Sequence, residues 1–113
     1  MVSLEDIKKL TKKNAERNNW ILNKDEEWLE DLNKGLYENQ KRYGYPSCPC
    51  RLASGDFKKD KDIICPCDYA QPDISEYGHC YCALFFDPDF YKNGKIQQKI
   101  PERRPKEKIP KST

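Results

Sequence analysis

The feature that most constrains this chain is the grouping of its six cysteines into three Cys-x-Cys pairs. The pairs are CPC at 48–50, CPC at 65–67 and CYC at 80–82. The chain has 113 residues, of which 36% are hydrophobic and 35% are charged, so it can bury only a small apolar core. Chains of this kind commonly gain stability from disulfides or from a bound metal. The cysteines are therefore the first place to look for both stability and function.

The sequence carries no signal for export or for membrane insertion. Its first twenty residues are charged throughout and lack the apolar stretch of a secretory signal. No apolar run approaches the ~20 residues that span a bilayer. We therefore expect a soluble, cytoplasmic protein with no membrane partner. Thiols are kept reduced in that compartment, which favours metal binding or redox chemistry over structural disulfides.

Two amphipathic helices are predicted in the first part of the chain. The first begins at a capping signal on Ser3 and ends near Asn18. The second runs from Asp25 to about Tyr43, with acidic residues in its first turn and Gly44 as its C-terminal cap. We expect a core made from the apolar stripe of the second helix and from the residues between the helices: Trp28, Leu29, Leu32 and Leu36, with Trp20, Ile21 and Leu22.

The composition changes twice further along the chain. Prolines punctuate the sequence from Pro46 onward and predict short elements there, while the apolar run ALFF at 83–86 should anchor the cysteine region against the helices. Residues 91–113 hold eight Lys or Arg and two Glu. We predict a single domain at 1–90 and a flexible basic tail at 91–113. The tail is either a solvated segment or an electrostatic attachment site for an acidic partner. Nucleic acid is not an expected partner, because the tail has one aromatic residue and no stacking platform.

The residues alone leave several uses of six cysteines open. Cysteines two apart rarely bond to each other, so three disulfides would have to join different pairs. Four thiolates suit either zinc or an iron-sulfur cluster, and two thiols would remain. Structural zinc sites usually use Cys-x₂-Cys knuckles, which this chain lacks. The spacing favours iron-sulfur over zinc, and two spare thiols beside a one-electron centre are suited to passing electrons to a disulfide.

With its cysteines in this order, the chain resembles the catalytic subunit of ferredoxin:thioredoxin reductase. The family carries three Cys-x-Cys pairs followed by an apolar stretch. Arg51 after the first pair and KGL at 34–36 also fit. Here fourteen residues separate the first two pairs and twelve separate the last two, against a longer and a shorter interval in the family. Insertions in surface loops are well tolerated, so we expect the spacing to reshape a docking face and to leave cysteine ligation unchanged.

The resemblance implies a fold, a cofactor and a reaction. The fold would be small and mainly α, with short helices and loops wrapped around an iron-sulfur cluster. Four cysteines would hold a [4Fe-4S] cluster: Cys48, Cys65, Cys67 and Cys80. Cys50 and Cys82 would form the active-site disulfide, with Cys50 as the exposed attacking thiol and Cys82 against the cluster. Ferredoxin would donate electrons, thioredoxin or a glutaredoxin-like protein would accept them, and a small variable subunit is a further candidate partner.

One departure from the family affects proton transfer. The histidine inside the family's last pair is replaced by Tyr81, and an ordinary tyrosine, with a pKa of about 10, is a poor proton source near neutrality. The single histidine of the chain, His79, lies directly before Cys80. His79 could be a structural or simply exposed residue, and our hypothesis is that it takes over the protonating role. Two rival functions remain: a non-catalytic structural zinc module, and a simple iron-sulfur electron carrier with passive spare thiols.

Overall fold

The structure is a computed structural model that describes residues 2–110, and most of its regular structure is helical. The elements, in chain order, are α1 (Leu4–Arg17), β1 (Ile21–Leu22), α2 (Glu26–Tyr43), α3 (Phe57–Asp60), a 3₁₀ turn (Lys61–Ile63), α4 (Ala70–Tyr77), β2 (Phe85–Phe86) and a 3₁₀ turn (Lys106–Lys108). The predicted mainly α class is confirmed. The wrapping of these elements around a cluster stays a prediction.

The first helix begins and ends where its sequence signals place it. The Ser3 hydroxyl accepts a hydrogen bond from the Asp6 amide (3.1 Å), and the Asp6 carboxylate accepts one from the Ser3 amide (2.9 Å). This reciprocal pair satisfies two amides that the first turn leaves unpaired. On the inner face of α1, the buried Thr11 hydroxyl donates to the Asn33 side chain on α2 (3.1 Å). The two long helices are thus held side by side.

The second helix also matches its predicted bounds. The Asp25 carboxylate caps the amide of Trp28 (3.1 Å), and Gly44 ends the helix with a φ of 87°. Leu32 and Leu36 are buried as expected. The prediction that Trp28 packs in the core is wrong, because its side chain is 43% exposed. Its indole N–H instead donates to the carbonyl of Cys82 (3.1 Å), so the ring lies beside the last cysteine pair.

A two-stranded antiparallel sheet joins the start of the chain to the segment after the last cysteine. Ile21 pairs with Phe86, and Leu22 pairs with Phe85. Phe85 is buried against Trp20, with ring centroids 5.1 Å apart. Leu84 and Phe85 lie in the core that the helices share with the cysteines, while Ala83 and Phe86 pack in a second cluster with Phe90. The predicted anchoring role of 83–86 is therefore confirmed for its two central residues.

Helix α4 lies between the second and third cysteine pairs and ends at a required glycine. Gly78 has a φ of 91°, and a Cβ built on it would lie 2.6 Å from a ring carbon of Phe90. Any side chain there would be strained by both the backbone angle and the contact. The turn at Gly78 ends the helix and directs the chain inward, so that Cys80 is buried only two residues later.

The predicted flexible tail contains residues that pack. Ile100 and Arg104 are each 3% exposed. Arg104 donates to both carboxylate oxygens of Asp62 (2.8 and 3.2 Å), and also to the carbonyls of Leu52 and Lys59. Residues 100–104 therefore differ from a solvated tail, because the Arg104 guanidinium is hydrogen-bonded to a buried carboxylate and to main-chain carbonyls. The domain boundary at residue 90 stays a prediction, and residues 111–113 lie outside the described residues.

Within residues 2–110, none of the helices combines the length and the apolar composition that crossing a membrane demands.

Candidate redox-active cysteine site

Main-chain hydrogen bonds tie the two Cys-Pro-Cys loops together. The Cys48 amide donates to the carbonyl of Ile63 (2.8 Å), and the Cys65 amide donates to the carbonyl of Pro46 (3.0 Å). The bridge between Ser47 and Ile64 lies between these two bonds. Cysteines that are fifteen or more residues apart in sequence are thereby brought to adjacent strands of chain. The loops differ in one respect, since the Cys65–Pro66 peptide bond is cis.

The third loop folds back so that main-chain amides face the Cys80 sulfur. The amides of Leu84 and Phe85 each donate to Cys80 Sγ at 3.3 Å. Ala83 makes this return possible by adopting a φ of 60°. Burial opposes ionisation of Cys80, but the contact with Cys82 and these amides lower the pKa of the Cys80 thiol. The loop is therefore built to hold a thiolate.

One cavity collects the sulfurs that the resemblance assigns to a cluster. It is small, with a free volume of about 10 Å³, and it is partly open to solvent. The four predicted ligands line it: Cys48, Cys65, Cys67 and Cys80. Cys82, the predicted inner cysteine of the disulfide, lines it as well. The predicted attacking cysteine, Cys50, is outside this lining and exposed. The geometry thus separates one accessible thiol from five that face a common space.

The exposed thiol remains in contact with the cavity. Hydrogen bonds from the thiols of Cys48 and Cys82 lower the pKa of Cys50 to about 4. The same contacts raise the pKa of Cys48 to about 11 and raise that of the buried Cys82. All six cysteines are free thiols in this structure, so the predicted Cys50–Cys82 disulfide stays a prediction. The arrangement does place an accessible thiolate next to a buried thiol, which thiol–disulfide exchange requires.

A buried arginine lies against the cavity wall. Arg51 donates from Nη1 to the Cys67 sulfur (3.1 Å), and its guanidinium stacks between the rings of Tyr69 and Tyr81, 5.0 and 4.5 Å from their centroids. Its other nitrogens form a fork with both oxygens of Glu102 (2.9 to 3.1 Å). Burial opposes the charge, but Glu102 raises the pKa of Arg51 above its ordinary value. A permanent cation is thereby fixed beside the sulfur of Cys67.

Tyr81, which replaces the family's histidine, is used as an aromatic surface. Its ring covers Arg51, and burial raises the pKa of its hydroxyl. A phenol with a raised pKa holds its proton more firmly near neutrality, so it is poorly suited to supplying one to a thiolate.

His79 is fully buried, and both of its ring nitrogens face main-chain partners. Nδ1 lies 2.8 Å from the Cys80 carbonyl, and the Gln98 amide donates to Nε2 (3.2 Å). These two bonds define a neutral ring with the proton on Nδ1. Phe86 and Phe90 pack against it at centroid distances of 5.2 and 5.7 Å. The packing favours a structural role, and the catalytic role stays a prediction.

Sequence reasoning missed the residues that support the cysteines from outside their own loops. Glu102 and Arg104 come from the predicted tail, and Trp28 from the predicted core stripe. The uneven charge of 91–113 drew attention to that segment, but charge counting does not distinguish a buried arginine from a solvated one. For Trp28, the helical period placed the residue on the correct face without showing that Cys82 would lie there.

The donor set of the cavity fits a soft metal centre, a class that includes iron-sulfur clusters. Its donors are thiols, which both zinc and iron-sulfur centres favour. A tetrahedral zinc site with Zn–S distances of about 2.3 Å needs its ligands converging on one point. Within residues 2–110, no group of three or more His, Cys, Asp or Glu converges on a single metal position. Iron-sulfur clusters take Cys thiolates from several loops, and the four thiols at the cavity are of that chemical type.

A small, mainly α fold that gathers three Cys-x-Cys loops around one cavity, with one thiol at the surface, defines a protein of the thiol-redox class. The family model for "Ferredoxin thioredoxin reductase catalytic beta chain" matches residues 1–108. The chain therefore belongs to the ferredoxin-thioredoxin reductase catalytic chain family. This family assignment confirms the resemblance that the cysteine pairs indicated.

Two curated relatives agree with this assignment. The chain is similar to the chloroplastic ferredoxin-thioredoxin reductase catalytic chain of Arabidopsis thaliana, with 31% identity over 97 residues, covering 84% of this chain and 64% of the relative. It is similar to the chloroplastic catalytic chain of Oryza sativa subsp. japonica, with 30% identity over 95 residues, covering 77% of this chain and 58% of the relative. The chain thus matches less than two thirds of the length of either relative.

Proposed function

We propose that the protein is an iron-sulfur disulfide reductase that takes electrons from ferredoxin and reduces a protein disulfide. The observation that carries the proposal is the separation of thiols at the cavity. Four of the thiols that line it are the predicted cluster ligands, and Cys82 lines it as well. Cys50 is exposed, yet it lies near enough to Cys82 for that thiol to lower its pKa. The disulfide of another protein can therefore reach Cys50, while Cys82 stays buried.

The proposed cofactor is a [4Fe-4S] cluster held by Cys48, Cys65, Cys67 and Cys80. When bound, it would supply electrons to the adjacent disulfide one at a time. The two amides on Cys80 Sγ and the Arg51 guanidinium on Cys67 Sγ would stabilise negative charge on these sulfurs. The protein thus provides fixed donors for two of the four proposed ligand sulfurs.

The exchange steps follow from the two remaining thiols. The Cys50 thiolate attacks one sulfur of the partner's disulfide, forming a mixed disulfide and releasing the other partner sulfur as a thiolate. Cys82 then attacks the Cys50 sulfur, which frees the second partner thiol and closes the Cys50–Cys82 disulfide. Each cycle returns the pair to the dithiol with two electrons and two protons. Ferredoxin has a reduction potential of about −400 mV and thioredoxin one of about −270 mV. Transfer of two electrons from the first to the second is therefore favourable by roughly 6 kcal/mol.

The partners proposed are those that the chemistry and the family name indicate. Ferredoxin is the proposed donor, and thioredoxin or a glutaredoxin-like protein the proposed acceptor. A small variable subunit and a cytoplasmic location stay predictions from the sequence. The lysines near the end of the described chain, including Lys106 and Lys108, lie exposed around a cleft and suit an acidic donor. Truncation would be a poor test of this idea, because it would remove the buried Arg104.

The proposal is tested by two substitutions in one loop of the protein purified without oxygen. Cys50→Ser should retain about four irons and four sulfides per chain but lose reduction of thioredoxin, while Cys48→Ser should lose the cluster. Full reductase activity in Cys50→Ser would contradict the exchange mechanism. A cluster with no reductase activity in the unsubstituted protein would support the electron-carrier alternative. One zinc and no iron would overturn the cofactor assignment.

A further inference from the structure

One face of α2 contacts the loops of both proposed redox cysteines. Gly35 and Asn39 follow Trp28 by seven and eleven residues, which places all three along one stripe of the helix. Trp28 reaches the Cys82 loop. Gly35 and Asn39 reach the loop that carries Cys50. A single rigid element therefore spans the two halves of the pair.

The contact at Gly35 leaves no room for a side chain. A Cβ placed on Gly35 would lie 2.7 Å from Cβ of Pro49, the residue between Cys48 and Cys50. Real Cβ atoms essentially never approach that closely, and Pro49 Cβ is fixed to the backbone and cannot swing aside. Glycine is also a poor residue for the interior of a helix, where alanine is preferred. The close approach of Pro49 is a reason for glycine at this position that helix formation does not supply.

Two hydrogen bonds from the same stripe complete the attachment. The Asn39 amide group donates to the carbonyl of Ser47 (2.9 Å), directly before Cys48. The Trp28 indole donates to the carbonyl of Cys82 itself (3.1 Å). Packing and one hydrogen bond thus fix the Cys50 loop, and a second hydrogen bond fixes the Cys82 loop. Both attachments act on main chain or on proline, so they position sulfurs without touching them.

We propose that α2 sets the spacing of the Cys50–Cys82 pair, with Gly35 and Trp28 as positioning residues for the two loops. This inference rests on the proposed function, because it assumes that these two cysteines exchange between dithiol and disulfide. A disulfide tolerates only a narrow range of Cα and Cβ separations. Displacement of the Pro49 loop by one methyl group therefore makes the disulfide harder to close, and a misplacement of about 1 Å lowers the exchange rate by roughly 100-fold.

The test measures the thiol–disulfide equilibrium of Cys50 and Cys82 in dithiothreitol buffers without oxygen, read by alkylation and peptide mass. Gly35→Ala should lower the equilibrium constant for disulfide formation at least about tenfold, which corresponds to ~30 mV. Lys34→Ala, the neighbouring exposed position, is the control and should leave it unchanged. Adding Pro49→Gly to Gly35→Ala removes the clashing Cβ and should restore the constant to that of Pro49→Gly alone. Adding Pro49→Ala keeps that Cβ and should not.

Trp28→Phe tests the other loop without altering the helix. It keeps a ring but removes the N–H, and it should lower the constant about threefold or more. An unchanged constant in both Gly35→Ala and Trp28→Phe overturns the inference, as does equal rescue by Pro49→Gly and Pro49→Ala. If Gly35→Ala does not fold, rescue of folding by Pro49→Gly alone supports the contact, and failure of that rescue counts against it. If the unsubstituted protein forms no Cys50–Cys82 disulfide, the proposed function fails as well.

Discussion

Replacing Arg104 by Met should show whether residues 100–104 pack against the segment between the first two cysteine pairs. The Arg104 and Asp62 side chains are 1% and 8% exposed, and four hydrogen bonds bind the guanidinium to Asp62, Leu52 and Lys59. Methionine keeps the apolar part of the side chain but leaves the Asp62 carboxylate without its counter-ion. Asp62 would keep the Tyr69 hydroxyl (2.7 Å) as a donor. Arg104 thus contributes far more than a solvated residue would.

The size of the effect follows from the burial of the pair. Removing one partner of a buried ion pair costs about 3–5 kcal/mol, and the remaining Tyr69 bond favours the lower end, ~3 kcal/mol. For a chain of this length, that loss lowers the melting temperature by about 12 °C. The assay is urea unfolding followed by circular dichroism, without oxygen, with Lys106→Met as the control at an exposed cation. A difference of less than ~1 kcal/mol between the two variants would refute the packing and support a flexible tail.

The same pair predicts how the difference depends on pH. Burial opposes ionisation of Asp62, but the Tyr69 and Arg104 bonds lower the pKa of its carboxyl below the ordinary value. A depressed folded-state pKa contributes stability above the unfolded pKa, near about 3.9, and that contribution is lost as the pH falls through the folded value. The gap between the Arg104→Met and unsubstituted proteins should therefore be constant from pH 7 to 5 and shrink below about pH 4.

The remaining predictions concern single side chains at the site and the surface. With its pKa lowered to about 4, reduced Cys50 should react with iodoacetamide at nearly the same rate at pH 6 and pH 8, and a tenfold rise per unit would contradict the contacts proposed for it. His79→Ala should lower the free energy of unfolding by about 2–3 kcal/mol, since it removes two main-chain partners, and an unchanged pH profile of turnover would exclude the protonating role. Lys106→Gln with Lys108→Gln should weaken coupling to ferredoxin mainly at low salt, and equal loss at 0.5 M salt would argue against an electrostatic cause.

Local signals predicted the first half of the fold well. Ser3 and Asp25 cap the two long helices, and Gly44 ends the second, because side-chain caps and a left-handed glycine act within a few residues of their own position. The cysteine pairs likewise indicated the family. What fixed these features lies within a short window of sequence, and no long-range packing was needed to recognise them.

The supports of the site depend on contacts between distant segments. Arg51 and Glu102 are 51 residues apart, and Trp28 and Cys82 are 54 apart. A period or a charge count assigns Trp28 to a stripe and Glu102 to a basic segment, but neither shows what lies opposite. His79 illustrates the same limit, since proximity to Cys80 in sequence suggested chemistry while the Gln98 amide and the Cys80 carbonyl use both of its nitrogens.

The Arg51–Glu102 fork also has a consequence for the order in which the site is completed. Translation proceeds from the N-terminus, so Cys82 leaves the ribosome twenty residues before Glu102. Until the segment with Glu102 packs, Arg51 lacks the carboxylate that holds its guanidinium beside Cys67. The thiols are therefore all present, and least covered, in a newly made chain. Packing of 102–104 then fixes Arg51 on the cavity wall, so the cluster proposed above would reach its ligands more easily before this step than after it.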